Sequence, residues 1–190
     1  MSVNPVFCAA SILTNTATAW VNQITAGRTV TLGVTSIQGG EAPNVIPDTA
    51  DILGSLRFFN DEEGEKAVRI FKNVAEHTAA MNNCQVQFDD RFCVLCAPVI
   101  NDEYYSNLIS AALPEVLLEN VTVSSCEPWY ASESFSCYRR ICPSVLAHLG
   151  INNPSYGSGA AHHNGFFDVD EGVLSTGVIA TLKFVAMLQK

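Results

Sequence analysis

The sequence predicts an α/β chain in two parts: an α+β first half built around a pair of antiparallel strands, and an α/β second half. Three observations carry this. Residues 50–57 alternate, with Ala50, Ile52, Gly54 and Leu56 on one face and Asp51, Leu53, Ser55 and Arg57 on the other, which is the period-two pattern of a strand. The run 29–37 (TVTLGVTSI) is rich in β-branched residues, and Gly39-Gly40, Pro43-Asn44 and Pro47-Asp48 between the two runs supply turn chemistry. On either side lie stretches whose apolar residues recur at helical spacing.

Taken in order, Asn4-Pro5 caps a helix that runs to about Ile24, with Val6, Ala9, Ala10, Leu13, Ala17, Trp20 and Ile24 near helical spacing. Strands follow over 28–37 and 46–59. Asn60-Asp61-Glu62-Glu63 then caps a second helix whose core stripe is Ala67, Ile70, Phe71, Val74, Thr78 and Met81, while Glu65, Arg69, Lys72 and Glu76 face water. Asn82-Asn83 ends it, and 84–94 supplies a third strand. The order αββαβ lacks only a leading strand to complete the split βαβ, ferredoxin-like sandwich. That places a first domain at 1–97 and a second at 98–190. The second reads as a helix over 103–118, a short strand at 121–124, a helix from Ser132, a strand near 145–149 and a closing helix after Asp170. Its strands have no evident partners, so unpaired edges and an exposed apolar face are expected.

Composition narrows the function. At 190 residues and 48% hydrophobic, the chain can bury a core. A net charge of -9 repels phosphates and anionic lipid, which makes nucleic acid and membrane surfaces poor partners. No apolar run reaches the roughly 20 residues that span a bilayer. The N-terminal stretch has no basic leader and is broken by Asn4 and Pro5, so no signal peptide is expected, and cytoplasmic residence follows. Seven irregularly spaced cysteines do not form a secreted disulfide framework. Cys93-x-x-Cys96 has the spacing of half a zinc site or a redox pair. In a strand, however, positions three apart point to opposite faces, so buried reduced thiols are the expectation.

Three segments carry a family likeness: 39–57 (GGEAPNVIPDTADILGSLR); 131–135 (ASESF) with Pro143 and Leu149-Gly150 downstream; and 163–174 (HNGFFDVDEGVL). In this order they resemble the M20 metallopeptidase family, specifically its amidohydrolase branch of N-acyl-amino acid, hippurate and auxin-conjugate hydrolases. The resemblance implies a lid domain followed by the C-terminal portion of a zinc-peptidase-like catalytic domain. It also implies a homodimer formed through the lid strand at 29–37. The implied reaction is metal-dependent hydrolysis of the amide of an N-acyl-amino acid or small peptide, with zinc or manganese as the divalent metal.

By the same resemblance His163 is a metal ligand, with His162 as the register alternative. Asn44 approaches the scissile carbonyl, often across the dimer, and the planar fork of Arg57 binds the substrate carboxylate. Glu133 lies near the active site. Ser134 stands where the family has aspartate, and Gly165 where it has proline. Each residue also has a plain structural reading: Asn44 capping its own turn, Arg57 in a surface ion pair, the His pair in a solvated loop. Gly39 and Gly40 serve backbone geometry as readily as substrate contact. Asp168, Asp170 and Glu171 precede an apolar helix, where acids belong at the N-terminus, and are not read as ligands.

The family's Cys-Gly-His-Asp segment, its site Glu-Glu pair and a further histidine do not occur in this sequence. The expectation is therefore a fragment of such an enzyme, inactive alone, with no metal necessarily bound by this chain. The alternatives are a non-catalytic dimerisation or carboxylate-binding module, and a subunit complemented in trans by a chain carrying the remaining ligands.

Overall fold

A computed structural model describes residues 3–89, 97–117 and 121–189. The chain divides into two compact units, Met1–Val99 with Tyr130–Cys137, and Ile100–Trp129 with Tyr138–Lys190.

In the first unit, helix α1 (Pro5–Gln23) starts where Asn4 accepts the Val6 N–H at 3.0 Å and Pro5 takes the first helical position, whose N–H would lack a partner anyway. Strands β1 (Val30–Gln38) and β2 (Asp51–Phe58) pair antiparallel from Val30 opposite Phe58 to Gln38 opposite Asp51, with one irregularity between Val34 and Ser36. Helix α2 (Asp61–Met81) is capped by Asn60, which accepts the Glu63 N–H at 3.0 Å, and its first turn carries Asp61, Glu62 and Glu63 against the positive end of the helix dipole. Both caps lie where the sequence puts them, while β1 starts at Val30 rather than 28 and β2 at Asp51 rather than 46.

The helices pack on one another over a core of Cys8, Ile12, Ala75 and Ala79, with Ile52, Phe71, Cys84, Val86 and Phe88 around it. Burying Ile12 contributes about 2 kcal/mol. Asn15 Nδ2 donates to Thr78 Oγ1 at 3.0 Å between the helices, and Trp20 Nε1 donates to the Val30 carbonyl at 3.2 Å, tying α1 to β1. Gly64 lets α2 lie directly on the Phe58 ring, since a Cβ there would fall 2.5 Å from it.

Several expectations are corrected. The buried stripe of α1 is Cys8, Ala9, Ile12 and Thr16, whereas Ala10 and Ala17 are exposed. On α2, Met81 is 82% exposed, and Gly64, Ala75 and Ala79 join the core instead. Among the described residues the sheet has two strands. Residues 84–89 of the expected third strand lie against the core without a ladder, and its remainder, with Cys93 and Cys96, falls outside the described residues. The described order is thus αββα, a mixed α/β fold with a small sheet.

In the second unit, helix α3 (Glu103–Ala112) begins at Asp102, which accepts the Tyr105 N–H at 3.0 Å. It stops short of 118 because Pro114 has no N–H for the Ser110 carbonyl, and a 3-10 turn, Leu113–Glu115, replaces the last α turns. The expected strands at 121–124 and 145–149 are not strands, and the helix from Ser132 is a 3-10 helix, Ser134–Arg140, whose residues up to Cys137 cluster with the first unit. A short run with strand composition has no ladder unless an edge accepts it.

Helix α4 (Leu174–Leu188) closes the chain after a 3-10 turn capped by Asp170. Lys183 pairs with Glu115 at 2.7 Å, and the Phe184 ring meets Tyr105 edge-on at 6.3 Å, so α4 rests on α3. None of α4 is buried: Leu174, Val178, Leu182, Val185 and Leu188 are all exposed. The stretch Glu171–Leu188, with mean hydropathy 1.5, is long and apolar enough to cross a membrane by length and composition alone, which corrects the expectation that no run comes close.

Candidate functional site

The loop from Gly39 to Pro47 and the start of α1, Asn4 and Val6, enclose a cleft of about 480 Å³, and Asn44 is exposed on that loop. The glycines are backbone requirements. Gly40 has φ +80°, and a Cβ on Gly39 would sit 2.9 Å from Val6 Cγ2.

Arg57 lies near the other end of β2, exposed, and its guanidinium donates to the Tyr130 carbonyl. The Tyr130 ring meets Phe59 edge-on at 4.8 Å. Arg57 and the segment carrying Glu133 therefore belong to the same unit. Between Asp51 and Arg57 lies about 20 Å of strand, so within one protomer the hairpin holds Asn44 and Arg57 at opposite ends.

Glu133 is half-buried, and its Oε1 accepts the Phe135 N–H at 3.0 Å and the Ser134 hydroxyl at 3.4 Å. It caps the 3-10 helix that follows. Ser134 thus donates to the neighbouring carboxylate rather than competing with it.

His162 and His163 are in the second unit. The His162 ring lies against Trp129, centroids 5.5 Å apart, and against Phe167 at 5.2 Å. Trp129 also meets His148 at 5.3 Å. His163 is exposed and has φ +62°, a left-handed backbone that costs a non-glycine residue about 1 kcal/mol or more. Asn164 closes the turn, its side chain accepting the Phe166 N–H at 2.9 Å and its carbonyl the Phe167 N–H at 3.0 Å. The acids that follow are engaged locally. Asp170 accepts from Gly172 N–H at 2.9 Å and Asn153 Nδ2 at 2.7 Å, and Asp168 from Val169 N–H at 2.8 Å. Sequence reasoning missed Trp129 and His148. The aromatic pair Trp129-Tyr130 in a polar stretch was the available signal.

The profile of the Peptidase dimerisation domain matches residues 2–82, which hold α1, the hairpin and α2. The chain carries an M20 peptidase dimerisation domain. Its homologues are M20 amidohydrolases and carboxypeptidases. It is 26% identical over 183 residues to Thermostable carboxypeptidase 2 of Saccharolobus solfataricus, covering 94% of this chain and 44% of that protein. With IAA-amino acid hydrolase ILR1-like 4 of Arabidopsis thaliana it shares 28% over 147 residues, 76% of this chain and 33% of the relative. The match to N-acetylcysteine deacetylase of Bacillus subtilis is 26%, covering 92% and 43%. The fold is that of the Bacillus subtilis YXEP protein, a dinuclear metal binding peptidase from the M20 family, with a TM-score of 0.75 over 98% of this chain and 46% of that one at 22% identity. The chain spans about half the length, or less, of the curated relatives it matches.

A divalent metal is the chemistry that structural neighbour implies. Among the described residues no three His, Cys, Asp or Glu side chains gather to hold one. A catalytic zinc typically takes three protein ligands, so the donor set described here does not fit a metal by itself.

Proposed function

We propose that this chain is the lid-and-C-terminal portion of a metal-dependent M20 amidohydrolase that cleaves N-acyl-amino acids, with the rest of the ligand set and the general base supplied by polypeptide outside this sequence. The observation that carries the reading is the His162-His163 pair. The His162 ring is taken up between Trp129 and Phe167, while its neighbour is exposed on a left-handed backbone. His163 is then the imidazole offered to a metal, and His162 holds the loop. Costly backbone geometry at an exposed polar residue is the kind of strain that functional sites retain.

In this reading the domain works as a homodimer in the cytoplasm. Asn44 and Arg57, at opposite ends of one hairpin, serve different active sites. Arg57 binds the substrate carboxylate with the N–H groups that Tyr130 leaves free, and Asn44 donates from the 39–47 loop to the scissile carbonyl of the partner's substrate. Glu133 sets the turn beside Arg57. The Lys183–Glu115 pair midway along α4 favours a protein surface over a bilayer as its surroundings, and the charge of -9 disfavours nucleic acid.

The test uses purified chain with zinc or manganese and an N-acetyl-amino acid, alone and mixed with a polypeptide carrying the remaining ligands. Hydrolysis is expected in the mixture only. It should be lost with H163A, and H162A should retain metal in the mixture. Turnover by the 190-residue chain alone would refute the reading.

A further inference from the structure

Two thiols share one apolar cluster in the first unit. Cys8 lies in the second turn of α1, 4% exposed, clustered with Ile12, Ala75 and Ala79. At the end of α2 the left-handed Asn83, φ 53°, turns the chain back, and the Cys84 N–H donates to the Ala79 carbonyl at 2.9 Å. This sets the half-buried Cys84 side chain against the same cluster. Cys84 thus packs against the cluster that contains Cys8, and burial foremost, with Cys84 as a neighbour, pushes the Cys8 thiol up to about 11. No catalytic role proposed above uses either residue.

We propose that Cys8 and Cys84 form a reversible disulfide on exposure to peroxide, making this pair a redox modification site that locks α1 to the end of α2. Cys84, the more accessible sulfur, reacts first: its thiolate attacks one peroxide oxygen, the O–O bond breaks, and the departing hydroxide takes up a proton as water, leaving a sulfenic acid. The Cys8 sulfur then attacks the Cys84 sulfur. The S–O bond breaks, the Cys8 proton leaves with the hydroxide as a second water, and the S–S bond forms. Two thiols are oxidised and one hydrogen peroxide is reduced. A thiol held protonated is a poor nucleophile, so Cys84 is the first to react, and Cys8 gives up its proton only as it attacks the sulfenic sulfur packed against its own cluster. The bond would close a loop containing both strands and all of α2, which restricts the unfolded chain strongly.

The experiment treats the reduced, purified chain with hydrogen peroxide, then maps peptides without reductant and follows thermal unfolding. A peptide joining Cys8 to Cys84 is expected, cleaved by dithiothreitol and absent from C8A and from C84S. Oxidised wild type should unfold about 10 °C above reduced wild type. Cys8 remaining fully alkylatable after peroxide would overturn the proposal. So would Cys84 stopping at a dimedone-trapped sulfenic acid, or bridges confined to Cys126, Cys137 and Cys142. The wild-type map decides the matter even if a variant fails to fold.

Discussion

Gly64→Ala sets two effects of opposite sign against each other. In a helix, alanine is favoured over glycine by about 1 kcal/mol, so propensity alone predicts stabilisation. But a Cβ at position 64 would lie 2.5, 2.6 and 2.6 Å from three carbons of the Phe58 ring, closer than real Cβ contacts come. Either the ring leaves its place or α2 lifts from the strand, and overpacking of this kind costs about 1–3 kcal/mol. Phe58 is half-buried, so the ring has some room to move, and a net loss of about 1 kcal/mol is expected. Urea unfolding followed by circular dichroism measures it. Phe58→Leu supplies the control: in that background the ring is gone, and Gly64→Ala should become neutral or stabilising, with a coupling of about 2 kcal/mol across the double-mutant cycle. A single variant as stable as wild type, or a cycle without coupling, would refute the steric account.

Glu63 accepts the Thr25 hydroxyl at 2.6 Å, and that hydrogen bond foremost, then the Thr25 N–H, Lys66 and Arg28, holds its carboxyl below the ordinary value of 4.5. A pKa depressed in the folded state gives stability that is present above the unfolded value and lost as pH falls through the folded one. The stability gap between wild type and Thr25→Val should therefore be full at neutral pH and shrink once pH drops below 4.5, as read by urea unfolding across that range. Ser136 is 1% exposed with no partner for its hydroxyl among the described residues, so Ser136→Ala should be neutral or stabilising by up to about 1 kcal/mol, and a clear loss of thermal stability would contradict this. Asn60→Ala removes the cap on the Glu63 N–H and should cost about 1 kcal/mol in urea unfolding, Asn60→Gly distinctly less.

What the sequence revealed was local chemistry. Asn4-Pro5 and Asn60 were legible as caps because a cap is decided within four residues, and β2 because its alternation is complete. The phase of α1 was not legible. Ala10 and Ala17 fit an apolar stripe as well as Cys8 and Ile12, and a buried Thr16 leaves no hydrophobic signal. The expected strands at 121–124 and 145–149 failed for a different reason, since pairing is a property of two segments and composition reports only one. At the candidate site, Asn44, Arg57 and His163 could be singled out from their motifs. The contacts of Trp129 with His148 and His162 join residues far apart in the chain, and the pair Trp129-Tyr130 in a polar stretch could mark the place without naming the partners.

Helix α4 also bears on how long the chain lasts in a cell. Six large apolar side chains along one helix, Ile179 among them, each left in water, are the kind of surface that holdase chaperones and quality-control proteases seize in half-folded proteins. As long as that helix stays exposed, the expected consequence is accelerated turnover of the polypeptide rather than a change in chemistry.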